Sequence, residues 1–334
     1  MFLVGDVGAT NARLAIAACT AGEIEWIDEA RHADAELPSL EAAVDALLSQ
    51  STVGRDELDG ACFGIAGPIE GRRARFTNRD WTIDADALAA RLGAPVTLVN
   101  DLEAAARGID GLPRGDFAVL QPASTAPEGV RLVIGAGTGL GIAYAVPCNG
   151  RYRIVASEGG HAGFAPQGPR QRWLLDALVR SGERVDAEHV VSGAGLERIY
   201  ATLAAEHPGR ATAALTGELE RGSRAAAISR FALEGADPLA SEALELFIDC
   251  YGSVAGDHAL AVLPRGGVYI VGGIAAKVLP RLAAGGFVRA FVDKGDFAPL
   301  ARTFPIAVVT NERLGLVGAT LIASASLAGS RRSR

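Results

Sequence analysis

The chain has 334 residues, long for one hydrophobic core, so two domains are the expectation. Its composition, 49% apolar and 21% charged, is that of a globular protein, and a net charge of −7 argues against nucleic acid as a main partner. Four scattered cysteines, Cys19, Cys62, Cys148 and Cys250, show no CxxC or Cys/His spacing and so suggest neither a zinc site nor a disulfide framework; with no signal peptide at the start, a reducing cytoplasm is expected.

Short apolar runs alternate with amphipathic segments, the pattern of an α/β fold. In chain order the pattern predicts strands over 2–5 and 12–18, a helix over 39–50, a strand over 61–66, a helix over 83–92, a strand over 96–99 and a helix over 102–107. The stretch "GLPRGD" (111–116) reads as a crossing between domains. Strands follow over 117–120, 131–135 and 141–146, then helices over 170–180, 194–206, 223–234 and 238–262, then strands over 268–272 and 306–309. Asp237 as N-cap with Pro238 in the first turn marks the start of the longest helix. The basic ending "SRRSR" reads as a solvated tail.

One stretch tests a membrane reading. Between Arg131 and Arg151 lie nineteen uncharged residues, close to the length of a spanning helix. Five glycines, a proline and an asparagine fall among them, and β-branched residues cluster at both ends, so strand–turn–strand is preferred and no membrane partner is expected.

A weak internal repeat carries more information. "LVGDVGATNARLAI" (3–16) and "LVIGAGTGLGIAYAV" (132–146) share one plan: strand, Gly-rich turn with a threonine, strand. Each turn exposes successive backbone N–H groups and a hydroxyl, which can cradle phosphate oxygens, although a single Gly-rich hairpin is more often only a turn. Other phosphate motifs do not fit. No Gly-Lys dipeptide occurs, which excludes a Walker loop, and the third glycine of a GxGxxG fingerprint would fall on Leu140.

Three further places carry chemistry. The apolar run 96–99 ends in Asn100-Asp101. Asn100 with Glu103 has the spacing of a capping box; Asp101 is then either a plain N-terminal acid complementing the helix dipole or a catalytic base at a strand end. Glu158 and His161 stand three apart, but Gly159-Gly160 between them make a helix costly and favour a turn presenting both side chains. Glu188 and His189 precede "VVSGAG"; on their own they read as an ordinary exposed glutamate and a structural histidine.

Taken together, "GDVGATNARLAI", "VNDLEAAA", "GAGTGLGIA", "EGGHAGFAP", "VVSGAGLERIY" and "YIVGGIAAK" resemble the motif series of bacterial glucokinases in the actin/hexokinase/Hsp70 ATPase superfamily, from residue 3 to about 320. The cysteine-rich zinc motif of the related ROK sugar kinases is lacking, so the likeness is to the zinc-free branch. The resemblance implies a two-domain actin-like ATPase (ribonuclease H-like) α/β fold with an interdomain cleft. Its small domain would be 1–110 plus 312–334, including a returning C-terminal helix, and its large domain 111–311. It implies ATP-dependent phosphorylation of glucose at the 6-hydroxyl, the first step of glycolysis, in a cytoplasmic homodimer. Asp101 would be the base, with Asn100, Glu158, His161 and Glu188 on the sugar hydroxyls. ATP would be held by the turn Gly5, Asp6, Val7, Gly8, Ala9 and Thr10, by Gly135, Gly137, Thr138 and Gly139, and by Gly272 and Gly273 in an adenosine motif. Asp6 would hold Mg²⁺ through water. One departure stands out: the first turn of the family reads Asp-x-Gly-Gly-Thr, and here the second glycine is Ala9. If that position needs φ > 0, alanine costs about 1 kcal/mol. The alternative it leaves open is a sugar-binding sensor with weak or lost kinase activity. Against that alternative, the first phosphate turn lies a few residues from Met1, which leaves no room before it for a DNA-binding module.

Overall fold

The structure, a computed structural model, describes residues 1–8, 11–33, 38–75, 81–126, 128–180, 182 and 184–332. The chain separates into two compact units, Met1–Asp116 with Asn311–Arg334, and Phe117–Thr310.

The first unit opens with β1 (Phe2–Val7), β2 (Asn11–Thr20) and β3 (Glu23–Ala33), a meander of antiparallel strands. The helix α1 (Leu40–Gln50) starts where Ser39 accepts the Ala42 N–H and buries Leu40, Val44 and Leu47. The strand β4 (Gly60–Ile65), buried along its whole length, lies parallel to β1. A small sheet follows, β5 (Ile69–Glu70), β6 (Arg73–Arg75) and β7 (Thr82–Asp84). The helix predicted from 83 begins two residues later, as α2 (Ala85–Leu92), because Asp84 caps it by accepting the Asp86 and Ala87 N–H groups. Then come β8 (Val96–Asn100), parallel to β4, and α3 (Asp101–Gly108). The sheet order is β3-β2-β1-β4-β8.

In the second unit β9 (Phe117–Gln121) is followed by the meander β10 (Arg131–Ala136), β11 (Leu140–Cys148) and β12 (Arg151–Ser157). The uncharged nineteen-residue stretch is therefore strand–turn–strand, and no helix among the described residues is long and apolar enough to cross a membrane. The helices α4 (Gly168–Val179), α5 (Gly193–Glu206), α6 (Ala213–Leu219), α7 (Arg224–Glu234) and α8 (Pro238–Val262) pack next. Buried Leu244, Phe247, Ile248, Tyr251 and Ala255 put α8 in the centre of this core, as expected of a helix apolar on most of its surface. After β13 (Gly267–Val271) come α9 (Gly273–Lys277), α10 (Leu279–Ala283), α11 (Gly286–Val292), α12 (Ala298–Ala301) and β14 (Ile306–Val309). The sheet order is β12-β11-β10-β13-β14-β9.

The last helix, α13 (Leu314–Arg332), belongs to the first unit and covers its sheet, burying Leu316 and Ala319 with Phe2, Val4 and Cys62. The repeat seen in the sequence thus extends past its hairpins. In each sheet a three-strand antiparallel meander is joined at its first strand to two further strands in parallel, and the second sheet adds β9. This is the ribonuclease H-like plan of the actin-like ATPases, present twice.

Candidate active site

In the first unit, the strand–helix junction at residue 100 is built by one side chain. Asn100 stays extended (φ −62°, ψ 145°) and its Oδ1 accepts the Leu102 N–H at 3.0 Å, capping α3. The bond goes to the second helical residue, not to Glu103, so Asn100 is a simple cap. Its Nδ2 is left as the donor end. Asp101 follows as the first helical residue, with Oδ1 accepting the same Leu102 N–H at 2.8 Å. Burial, and after it the negative charge of Asp6, push the Asp101 pKa up to about 6, against the pull of its backbone hydrogen bonds. A carboxyl tuned toward neutrality is what a general base requires: ionised at pH 7, yet with useful proton affinity.

Asp6 sits near the end of β1, paired in register with Arg13 of β2. Burial raises its pKa, and Arg13 opposes the rise. Arg13 in turn donates to the carbonyl and the carboxylate of Glu312 at 2.7 and 2.9 Å. The carboxylate of Asp6 abuts the first turn of α13, where a Cβ on Gly315 would lie 2.5 Å from its Oδ2. Only glycine lets the helix start this close to the acid, and the helix dipole favours a negative charge there. Gly8 closes the hairpin, its N–H donating to the Asn11 carbonyl at 2.9 Å. The expectation that Gly5 and Val7 offer backbone to a nucleotide is narrowed: both are buried in the sheet, and a Cβ on Gly5 would meet Phe63 at 2.5 Å. Ala9 and Thr10, which carry the departure and the expected hydroxyl, lie outside the described residues.

In the second unit the β10–β11 turn comprises Gly137, Thr138 and Gly139, with Thr138 exposed. Gly135 is one strand pair further back, opposite Gly141, and serves packing against Val271. The turn is tied down at two points. The Gly193 N–H at the start of α5 donates to the Gly137 carbonyl at 2.8 Å, and Glu188 Oε2 accepts the Leu140 N–H at 2.8 Å. Glu188 is therefore not the ordinary exposed glutamate of the plain reading. Gly272 and Gly273 are exposed where β13 gives way to α9, and Gly272 has φ 92°, a backbone state that side chains disfavour.

Glu158 precedes a three-residue 3-10 turn, Gly159–His161, as the two glycines predicted; both Glu158 and His161 are exposed. Gly160 is required by close approach, since a Cβ there would collide with the Leu140 carbonyl oxygen. The turn is braced by Ser157, whose Oγ accepts the Gly159 N–H at 3.0 Å, and by the ring of His258, which lies against Gly159 with its Nδ1 2.9 Å from Tyr144 Oη. His258 has a depressed pKa because burial disfavours its charge. The Glu188 N–H donates to the Gly160 carbonyl at 2.8 Å, so one residue bonds both turns of this unit. His161 Nδ1 lies 3.1 Å from a carboxylate that the motif reading does not mark, Asp186.

Sequence reasoning therefore misses Arg13 and Asp186. The first had a signal: once a hairpin is drawn with Val7 opposite Ala12, Asp6 must face Arg13. Asp186 had none, because its partner His161 is 25 residues away in a segment of irregular backbone. Among the described residues no group of three His, Cys, Asp or Glu side chains could hold a metal ion by itself. Asp6 offers a single carboxylate, and this fits Mg²⁺, which is commonly held by one or two carboxylates with waters and substrate phosphates.

A family model described as Glucokinase matches residues 3–326. A glucokinase of Synechocystis sp. is 40% identical over 348 aligned residues, covering 97% of this chain and 98% of its own. Among solved structures, a glucokinase from an Antarctic psychrotroph superposes with a TM-score of 0.81 at 29% identity, over 97% of this chain and 98% of that one. A ROK family glucokinase from Streptomyces griseus, in complex with glucose and AMPPNP, gives 0.67 at 24% identity over 97% and 99%, a likeness of fold.

Proposed function

The chain belongs to the glucokinase family, and from that premise we propose how its residues divide the work of phosphorylating glucose with ATP. It is a sugar kinase; the assignment of roles is our reading. Asp101 accepts the proton of the sugar 6-hydroxyl as O6 bonds to the γ-phosphorus and the bond from phosphorus to the departing ADP oxygen breaks. The observation that carries this is the Asp101 carboxylate at the first residue of α3, its pKa pushed up to about 6 beside the capping side chain of Asn100. Phosphoryl transfer depends mostly on positioning and charge neutralisation, so one base among well-placed donors suffices.

Asn100 Nδ2 donates to a neighbouring hydroxyl, its oxygen being taken by the cap. Glu158 and Glu188 accept from sugar hydroxyls, Glu188 through Oε1 because Oε2 is taken by Leu140. His161 can accept or donate, which suits a polyol. The backbone of Gly137–Gly139 with the Thr138 hydroxyl, and the turn that includes Gly8, Ala9 and Thr10, hold the phosphates. Gly272 and Gly273 let the adenosine approach the backbone. Asp6 would hold Mg²⁺, through water as the family likeness implies, and the ion would offset the negative charge of the phosphates. The reading extends to a cytoplasmic homodimer, supported by the family likeness; light scattering at twice 34.4 kDa checks the dimer.

A coupled assay across a panel of hexoses tests the whole reading. Wild type is expected to release ADP in response to glucose, and Asp101→Asn to lose about 10²–10⁴ in kcat, the usual worth of a positioned base. Undiminished turnover in Asp101→Asn would remove Asp101 from the chemistry.

A further inference from the structure

Asp186 lies in the loop before α5, and each of its carboxylate oxygens meets a different histidine. Oδ2 is 3.1 Å from His161 Nδ1; Oδ1 is 2.5 Å from His189 Nδ1 and accepts the His189 backbone N–H at 3.0 Å. The Asp186 side chain is 12% exposed and that of His161 57%, so a sheltered acid grips the inner edge of a ring whose outer edge is open. An ionised carboxylate only accepts hydrogen bonds, so His161 Nδ1 must carry the proton. The remaining nitrogen, Nε2, is then fixed in role: a lone pair in the neutral ring, an N–H in the charged one.

We propose that Asp186 is a positioning residue that sets the ring orientation and proton placement of His161, so that Nε2 is the atom offered to a sugar hydroxyl. The inference rests on the sugar role of His161 proposed above. The same logic operates where a buried aspartate holds a catalytic imidazole in one tautomer. The charged surroundings agree. The hydrogen bond to Asp186 raises the His161 pKa, burial opposes it, and the charges of Glu188, Asp186 and Glu158 add to the rise. A cation also meets this turn: the Arg184 guanidinium donates to the His161 carbonyl at 3.3 Å. Burial alone would raise the Asp186 pKa, but the bonds from His189 and His161 outweigh it and hold the group below the usual carboxylate value. Asp186 therefore stays ionised while His161 titrates. A competing, purely structural role is also specific: Asp186 could serve only to shape the 186–189 turn through His189.

A double-mutant cycle separates the two roles. Asp186→Asn can turn its amide N–H toward Nδ1 and reverse the tautomer. It is expected to raise the hexose KM about tenfold, by analogy with the lower range for losing the orienting partner of a metal-bound histidine. Nucleotide KM should hold, kcat should move by less than about threefold, and the His161 ring titration followed by NMR should shift to lower pH. In a His161→Ala background the same change should add nothing, and His189→Ala should leave the hexose KM near wild type. Additive losses, or a His189→Ala variant that reproduces the Asp186→Asn phenotype, would overturn the proposal in favour of the turn-shaping role. If His161→Ala alone leaves the hexose KM unmoved, the assignment of His161 to sugar is what fails, and this inference goes with it. Asp186→Ser is the second variant; loss of the cooperative melt in both would show a structural group and also overturn the proposal.

Discussion

Asp101 carries its charge where burial and the Asp6 carboxylate both disfavour it, and its pKa rises from 3.8 to about 6. Between those two values the folded state binds the proton more tightly than the unfolded chain does. The stabilisation from that proton is complete below about pH 4 and is lost as pH rises through about 6. At pH 7 the ionised group therefore costs about 3 kcal/mol of stability, from a shift of roughly two pH units. Asp101→Asn, already expected to lose turnover, should raise the urea midpoint at pH 7; a variant no more stable than wild type would contradict the burial cost. For the active enzyme, kcat/KM should fall on the acid side with a midpoint near pH 6, since the base must be ionised. A limb near pH 4 would show that the carboxylate is not so strained. At this scale the sequence was legible where the local backbone of the candidate site is set by contiguous motifs. Asn100-Asp101 and Glu158-x-x-His161 could be read from their local turns. The 25-residue separation of Asp186 from His161 could not, because no local periodicity reports which irregular segments meet.

The helix that presents Asp101 is held by an unusually close crossing. A Cβ on Gly318 of α13 would collide with the Ala104 carbonyl oxygen of α3, and one on Gly108 with the Leu314 carbonyl oxygen. Backbone on both sides leaves little room to yield. Gly318→Val is therefore expected to cost about 1–3 kcal/mol, the usual penalty of overpacking. Because α3 must shift to relieve it, kcat should drop as well. Denaturant melts and steady-state kinetics check the two effects, and a stable variant with a lowered kcat would show that α3 moves without the core giving way. The buried helices and the strongly apolar strands were readable from period and caps. The strands β3 and β12 were not: "EIEWIDEARHA" and "RYRIVAS" carry too many charges to look like strands, and pairing with β2 and β11 is what extends them. The final helix has small apolar residues on most of its surface, so its amphipathic signal is weak; only the family likeness pointed to it.

Over the whole molecule one strand plan occurs twice, and the sequence held a trace of it in two Gly-rich hairpins. Those hairpins are the most local part of each sheet, which is why they could be matched by eye. The parallel strands that complete each sheet come later in the chain, after α1, α2 and the small sheet in the first unit and after α4–α8 in the second, and their order is a tertiary fact. In hydrogen exchange the slowest amides should lie in β1 and β4 of one unit and β10 and β13 of the other, where strands are flanked on both sides. Edge strands β3, β8, β12 and β9 should exchange sooner. Uniform protection across each sheet would contradict this ranking.

Glu188 joins the Gly160 carbonyl through its amide and the Leu140 amide through its carboxylate. On the roles proposed above, a hexose that shifted that carboxylate would also disturb the glycine loop assigned to the nucleotide. Thermodynamics makes such traffic two-way: any factor by which glucose sharpens the affinity for ATP is owed back, in full, to glucose when ATP is already aboard.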